Sequence, residues 1–216
     1  MKVLVVGASR GSGAAAVVAL ANAGHLVTAF ARTAAPRPHS GDVRHIAGDV
    51  LNPDSLAKAM IGQDAVVVAL GISENPIAVR LLRRASTPLD VRSRGTAGVI
   101  EAMREAGVRR LIVQSTFGIG GTYASLPPSL KIFFRLVIKP QVEDHVRQEE
   151  LVRRSGLDWT LLRPVVLNDD DTAAPARVDL DDRVDSWKVS RRQLAEVLVA
   201  AVEREGWHGQ TLSVSG

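Results

Sequence analysis

Apolar residues along this chain follow two alternating rhythms. Short, nearly unbroken apolar runs read as strands at Lys2–Gly7, Leu26–Ala31, Val43–Ala47, Ala65–Leu70, Arg110–Gln114, Trp159–Leu162 and Thr211–Val214. Between them, apolar and small residues recur at helical spacing over Ser12–Ala23, from Pro53 onward, over Asp90–Ala106, Gln141–Arg154 and Arg191–Glu203. The polar positions punctuate this pattern. Gly24, Gly107 and Ser155-Gly156 stop helices, because glycine accepts the left-handed backbone. Asn52 before Pro53 and Ser190 before Arg191 supply helix starts. Thr33–Gly41, with two prolines, reads as a loop.

Strands joined by helices of this length imply parallel βαβ units. Right-handed crossovers then place helices on both faces of one sheet. The expected fold is therefore α/β: a single-domain, Rossmann-like, doubly wound parallel sheet spanning residues 1–216. No internal repeat or domain-scale linker interrupts it. Two stretches look inserted, at 117–140 (with Tyr123–Lys139) and 165–189 (with the acidic Asn168–Asp185). Both follow strands whose carboxyl ends carry ligands in such folds, so both are expected to be acceptor-site loops.

Composition narrows the function. Charged residues are 23% of the 216 and the net charge is +4, ordinary for a globular domain. The basic residues are scattered, and three Trp and one Tyr are not interleaved with them, which argues against a nucleic-acid surface. There is no cysteine, so disulfides, thiolate chemistry and Cys-based metal sites are excluded; no metal is expected. No signal peptide is expected, because the chain enters a core strand at once, and no apolar run approaches a membrane span. A cytoplasmic location is the expectation. Oligomeric state is open, since any exposed helix pair can serve as an interface.

The first strand runs into Gly7-Ala8-Ser9-Arg10-Gly11-Ser12-Gly13 and then a helix. A turn poor in side chains lets backbone N–H groups approach a pyrophosphate, and the helix dipole favours negative charge there. Strand and helix on either side supply the context this motif needs. At the end of the second strand, Phe30-Ala31-Arg32-Thr33 has an arginine and no acid. A carboxylate there would accept the ribose 2′-hydroxyl of NAD, whereas a guanidinium binds a 2′-phosphate. Arg10 adds charge on the same side, so NADP(H) is expected; the alternative is that Arg32 merely solvates a loop. Gly48-Asp49-Val50 should lie under the adenine, with Asp49 accepting its amine, capping the next turn, or both. Leu70-Gly71 should border the pyrophosphate and nicotinamide ribose.

With these pieces placed, the chain resembles the atypical branch of the short-chain dehydrogenase/reductase superfamily, and within it the flavin reductase/biliverdin-IXβ reductase family. The carrying stretches are the glycine turn, Ala47-Gly48-Asp49-Val50-Leu51, Gly62-Gln63-Asp64-Ala65-Val66-Val67, Asp144-His145-Val146-Arg147 and Ser155-Gly156-Leu157. Arg10 stands where that family has its second glycine, and Gly11 takes the neighbouring position. The resemblance implies NADPH-dependent reduction of flavins or other flat conjugated acceptors. It also implies a serine ending strand five and a histidine on the next helix, here Ser115 and His145, both near the nicotinamide. Val165 stands where the family can carry another histidine.

The superfamily's alcohol chemistry uses Tyr-x-x-x-Lys after strand five. Here the one tyrosine is Tyr123, with Pro127 at the lysine position, so that machinery and an ordinary sugar epimerase are disfavoured. Ser115 can hydrogen-bond the carboxamide or an acceptor atom, or simply satisfy a turn. His145 can donate a proton or bind cofactor, although a histidine on a charged helix is commonly solvated. Arg163-Pro164 should floor the nicotinamide site, unless Arg163 pairs with a carboxylate at the sheet edge. Leu130–Ile138 reads as an acceptor-site wall or packing helix, with a membrane surface or second subunit as alternatives. Asp169, Asp170, Asp171, Asp179, Asp181 and Asp182 lack the calcium-loop pattern and read as solvated charge. A non-catalytic NADP(H) sensor is the alternative to a reductase.

Overall fold

A computed structural model describes residues 1–33, 42–71 and 87–216. Its elements run β1 (Lys2–Val6), α1 (Gly11–Asn22), β2 (Leu26–Ala31), β3 (Val43–Ala47), α2 (Pro53–Met60), β4 (Ala65–Val68), α3 (Val91–Ala106) and β5 (Arg110–Gln114). They continue α4 (Pro128–Leu136), α5 (Lys139–Arg153), β6 (Asp158–Pro164), β7 (Val166–Asn168), β8 (Arg177–Asp179), β9 (Lys188–Ser190), α6 (Arg191–Glu203) and β10 (Gln210–Ser215). Most of the Thr33–Gly41 loop lies outside the described residues, as do residues 72–86 ahead of α3.

Among the described residues the main sheet has the order β3-β2-β1-β4-β5-β6-β10-β8. Every pair is parallel except β8 on β10. The expected doubly wound parallel sheet is thus present, with one antiparallel edge.

Two apolar layers explain why the strands read as unbroken apolar runs. Val3 and Val5 of β1, Ala65 and Val67 of β4, and Ile112 of β5 join the layer that packs on α1 and α6. Leu4, Val6, Val66, Val68, Leu111 and Val113 join the opposite layer, under α2, α3 and α5. Alternate side chains point to opposite faces, and both faces are covered.

The helix boundary signals act as their chemistry requires. Asn52 accepts from Ser55 N, and Ser190 exchanges hydrogen bonds with Gln193 in a capping box. Some boundaries move. The Ala65–Leu70 run leaves the ladder after Val68. The Trp159–Leu162 run extends to Pro164, because β10 continues to pair with it there. α5 begins at Lys139 rather than Gln141.

The acidic insertion keeps much of its charge in solvent, with the Asp169, Asp171 and Asp181 side chains 84%, 85% and 71% exposed, and adds ion pairs that the sequence does not reveal. The wider stretch 165–189 contains β7 and β8, and several of its acids are ion-paired. Arg177 bonds Asp179 and Asp185, Arg191 bonds Asp169, and Arg192 bonds Asp171. The arginines that satisfy these acids lie partly on α6, a contact that only folding brings about.

Candidate functional site

The strand order reverses between β1 and β4, where such sheets open a crevice at their carboxyl edge. Gly7 turns the chain there with φ +92°, a left-handed value. A Cβ on Gly7 would collide with the Ala69 carbonyl oxygen, and a Cβ on Gly13 with the Gly7 carbonyl oxygen. The first glycine lets β1 leave the sheet beside β4, and the last lets α1 start directly beneath the turn. α1 has no side-chain cap: its N-cap residue, Arg10, is extended and its side chain bonds nothing in the first turn. α2 and α6 are both capped. The N–H groups opening α1 are therefore available to an anion.

A cleft of about 1350 Å³ starts at this turn. Gly7, Ser9, Arg10, Gly11 and Ser12 line it, followed by Arg32, Asp49, Val50, Leu70 and Gly71. Gly13 is not in the lining; its part is the close packing just described. Arg32 donates from Nη2 to Thr87 Oγ1 at 3.0 Å. Asp49 accepts from Leu51 N at 2.9 Å, which makes the turn, while its side chain stays exposed at the cleft. A third cation was not foreseen. Arg191 lines the cleft, and its Nε lies 3.6 Å from where a Gly11 Cβ would stand. Only the packing of α6 on α1 brings it there; the sequence offers no signal beyond an arginine after a helix cap.

At the other end lie Arg92, Gln114, Ser115, His145 and Pro164, the residues the sequence marks after strands five and six among them. Ser115 is 2% exposed and ends β5 beside the Glu149 carboxylate, but its hydroxyl makes no hydrogen bond of ordinary geometry. Glu149 anchors the site from below. It accepts from Arg163 Nε at 2.9 Å and Nη2 at 2.7 Å, and from Arg153 Nη2 at 2.8 Å. Burial pushes the Glu149 carboxyl up, but the Arg163 hydrogen bonds and charge more than reverse it, holding it below its usual range.

This corrects the expectation that the Arg163 side chain floors the cofactor site. Its guanidinium is buried in the pair with Glu149 and is not in the cleft lining, whereas Pro164 is. The alternative of a sheet-edge ion pair describes it instead. Sequence spacing places Glu149 on the His145 face of its helix but cannot identify it as the arginine's partner.

His145 is half-buried and lines the cleft, so it is not the solvated surface group its charged helix suggests. Its Nδ1 is buried without a hydrogen bond. Burial, then the Arg92 charge, push its pKa well below the usual value, with Gln148 opposing; the ring is neutral at pH 7. Tyr123 is 37% exposed and outside the cleft lining, so no phenol takes its place beside Ser115.

An apolar wall closes this end. Leu126, Leu130, Phe133 and Phe134 come from the first inserted stretch, and Val165 and Trp187 from the second. Phe117 and Trp187 meet edge to face at 5.9 Å. Among the described residues no cluster of His, Asp or Glu has the geometry to hold a metal, and no helix is long and apolar enough to cross a membrane.

Known proteins share this fold. A family described as NAD(P)H-binding matches residues 7–205. A chloroplastic protein of Arabidopsis thaliana, itself uncharacterized, is 26% identical over 211 residues, covering 94% of this chain and 72% of that one. A 3-diazoavenalumate denitrifying reductase from a Streptomyces species is 35% identical over 120 residues, 53% of this chain and 38% of that one. Among solved structures, a Rossmann-fold NAD(P)-binding family protein from Shigella flexneri superposes with a TM-score of 0.73 at 26% identity, covering 99% of this chain and 92% of that one.

Proposed function

This chain belongs to the NAD(P)H-binding family, and from that premise we propose that it is an NADPH-dependent reductase that passes hydride to a flavin or similar flat conjugated acceptor. The observation that carries this reading is the continuity of the cleft. It joins an uncapped, glycine-lined helix start to a mostly apolar end where Ser115 and His145 stand together.

The residues fit the coenzyme. The first-turn N–H groups of α1 suit the diphosphate, with Arg191, itself ion-paired to Asp169, at their mouth and Arg10 on the side of the 2′-phosphate. Arg32 suits the 2′-phosphate, Asp49 and Val50 the adenine, and Leu70, Gly71 and Pro164 the nicotinamide riboside. When bound, NADPH supplies the hydride. Ser115 orients the carboxamide or the acceptor. His145, neutral at Nδ1 and Nε2 together carrying one proton, is suited to hydrogen-bond an acceptor atom as that atom gains a proton from solvent. The aromatic wall excludes water and stacks a flat ring. The Streptomyces relative is named a reductase, which agrees with this class of chemistry. No Tyr-Lys pair is needed, because a flavin-like acceptor requires alignment more than acid catalysis.

The test is oxidation of NADPH by purified protein with FMN or riboflavin, followed by loss of coenzyme absorbance. Turnover is expected, with NADPH bound at least ~10-fold more tightly than NADH, the value of a charge-assisted hydrogen-bond pair. Arg32→Ala should abolish that preference while sparing NADH. Tight NADH binding with negligible NADPH affinity overturns the coenzyme assignment. Coenzyme binding without turnover on flavins, quinones or tetrapyrroles overturns the enzyme and leaves an NADP(H) sensor.

A further inference from the structure

We propose that Arg92 is an oxyanion subsite that selects acceptors carrying a carboxylate. This deepens the reductase reading and rests on it.

Arg92 is the second residue of α3, and it is only 7% exposed. Its Nε and Nη1 are buried and make no hydrogen bond among the described residues, although the residue lines the acceptor end of the cleft. A buried guanidinium with idle donors is costly, and a folded protein keeps one where something else completes it. The nearby carboxylate does not. Asp144 is spent on capping α3, which Asp90 leaves uncapped. It accepts from Arg92 N at 3.0 Å, Ser93 N at 3.1 Å and Ser93 Oγ at 2.5 Å. The Arg92 guanidinium stands 3.9 Å from Asp144 Oδ2, close enough for charge compensation but too far for a hydrogen bond.

The surroundings repeat the pattern. Among the described residues Gln114 Oε1 and His145 Nδ1 are likewise buried without a hydrogen bond, Ser115 Oγ has none of ordinary geometry, and all three residues line the same cleft. These polar side chains and the apolar Phe117 and Phe134 line the same cleft, and of them Arg92 brings the buried donors. That combination fits a flat apolar body ending in a polar, charged group. The charge is limited to one. Asp144 already offsets part of the guanidinium, and a phosphate dianion would face that carboxylate unfavourably. A planar carboxylate presents a single charge and suits a guanidinium.

The experiment uses three probes of similar shape, trans-cinnamate, the neutral cinnamamide, and phenyl phosphate. Each is titrated calorimetrically into the full chain, with and without NADP⁺. Cinnamate should bind the native protein at least ~10-fold more tightly than cinnamamide, the value of one charge-assisted hydrogen bond. It should also bind more tightly than phenyl phosphate. Arg92→Met should reduce the cinnamate preference to within about twofold, and Arg92→Lys should retain part of it. Equal binding of cinnamate and cinnamamide, no binding of either, or tighter phenyl phosphate binding would overturn the proposal, as would a preference that survives Arg92→Met. If that variant does not fold, the comparison on the native protein still decides. Carboxylate selectivity without NADPH turnover would keep the subsite and remove the reductase. Flavin reduction without carboxylate selectivity would do the reverse.

Discussion

Glu149→Gln tests whether the ion pair beneath Ser115 holds the site together. The side chains of Glu149 and Arg163 are 3% and 9% exposed, and two short hydrogen bonds join them. The glutamine keeps the shape but removes the charge, leaving the Arg163 guanidinium buried with only Asp182 nearby, at 3.8 Å. Breaking one side of a buried pair costs about 3–5 kcal/mol. The amide still accepts one hydrogen bond, so about 3 kcal/mol is expected. For a domain of this size that lowers Tm by roughly 6–12 °C. Urea unfolding measures it, with Arg153→Ala as the control. Arg153 also bonds Glu149, but its side chain is 39% exposed, so losing it should cost under ~1 kcal/mol. The double variant Glu149→Leu/Arg163→Met should recover at least half of the loss, because neither charge is left unpaired. A Glu149→Gln loss below ~1 kcal/mol would refute the reasoning, as would a double variant less stable than Glu149→Gln.

Two other consequences can be measured. Gly13→Ala should weaken NADP(H) binding at least ~10-fold by calorimetry, since its Cβ has no room against the Gly7 carbonyl; Gly24→Ala meets nothing within 4 Å and should cost only ~1 kcal/mol of stability, with coenzyme binding unchanged. Unaltered binding by Gly13→Ala would disprove the close-packing account. His145 has a folded pKa below its unfolded value, so from about pH 6.5 downward the unfolded chain takes up a proton that the folded one refuses. Native stability should fall as pH drops through that window, by at most ~1.4 kcal/mol per pH unit from this residue, and His145→Gln should flatten that part of the profile. Glu149, whose folded pKa is depressed, starts to lose its contribution only below about pH 4.5, so the fall between about pH 6.5 and 4.5 is the part to compare in His145→Gln. Identical profiles for native protein and His145→Gln would contradict the half-buried, neutral ring.

The alternation of strand and helix, and hence the doubly wound parallel sheet, was legible in the residue pattern, because periodicity and cap residues act locally. Val43–Ala47, Arg110–Gln114 and the Ser190-capped helix are where apolar period and boundary chemistry place them. The residue pattern also marked the glycine turn, since Gly7, Gly11 and Gly13 are tied to backbone geometry within a few residues. Tertiary structure alone decided partnership. That Arg163 turns to Glu149 and not to the cleft, that Asp144 caps a helix 52 residues away, and that α6 brings Arg191 beside Gly11 all depend on which elements pack together. The short strands β7 and β8 were illegible for the same reason: three residues carry no period, and their pairing comes from β9 and β10. Local rules fix which element forms and roughly where; its last residues, like the free energy of a buried charge, depend on what is brought against it.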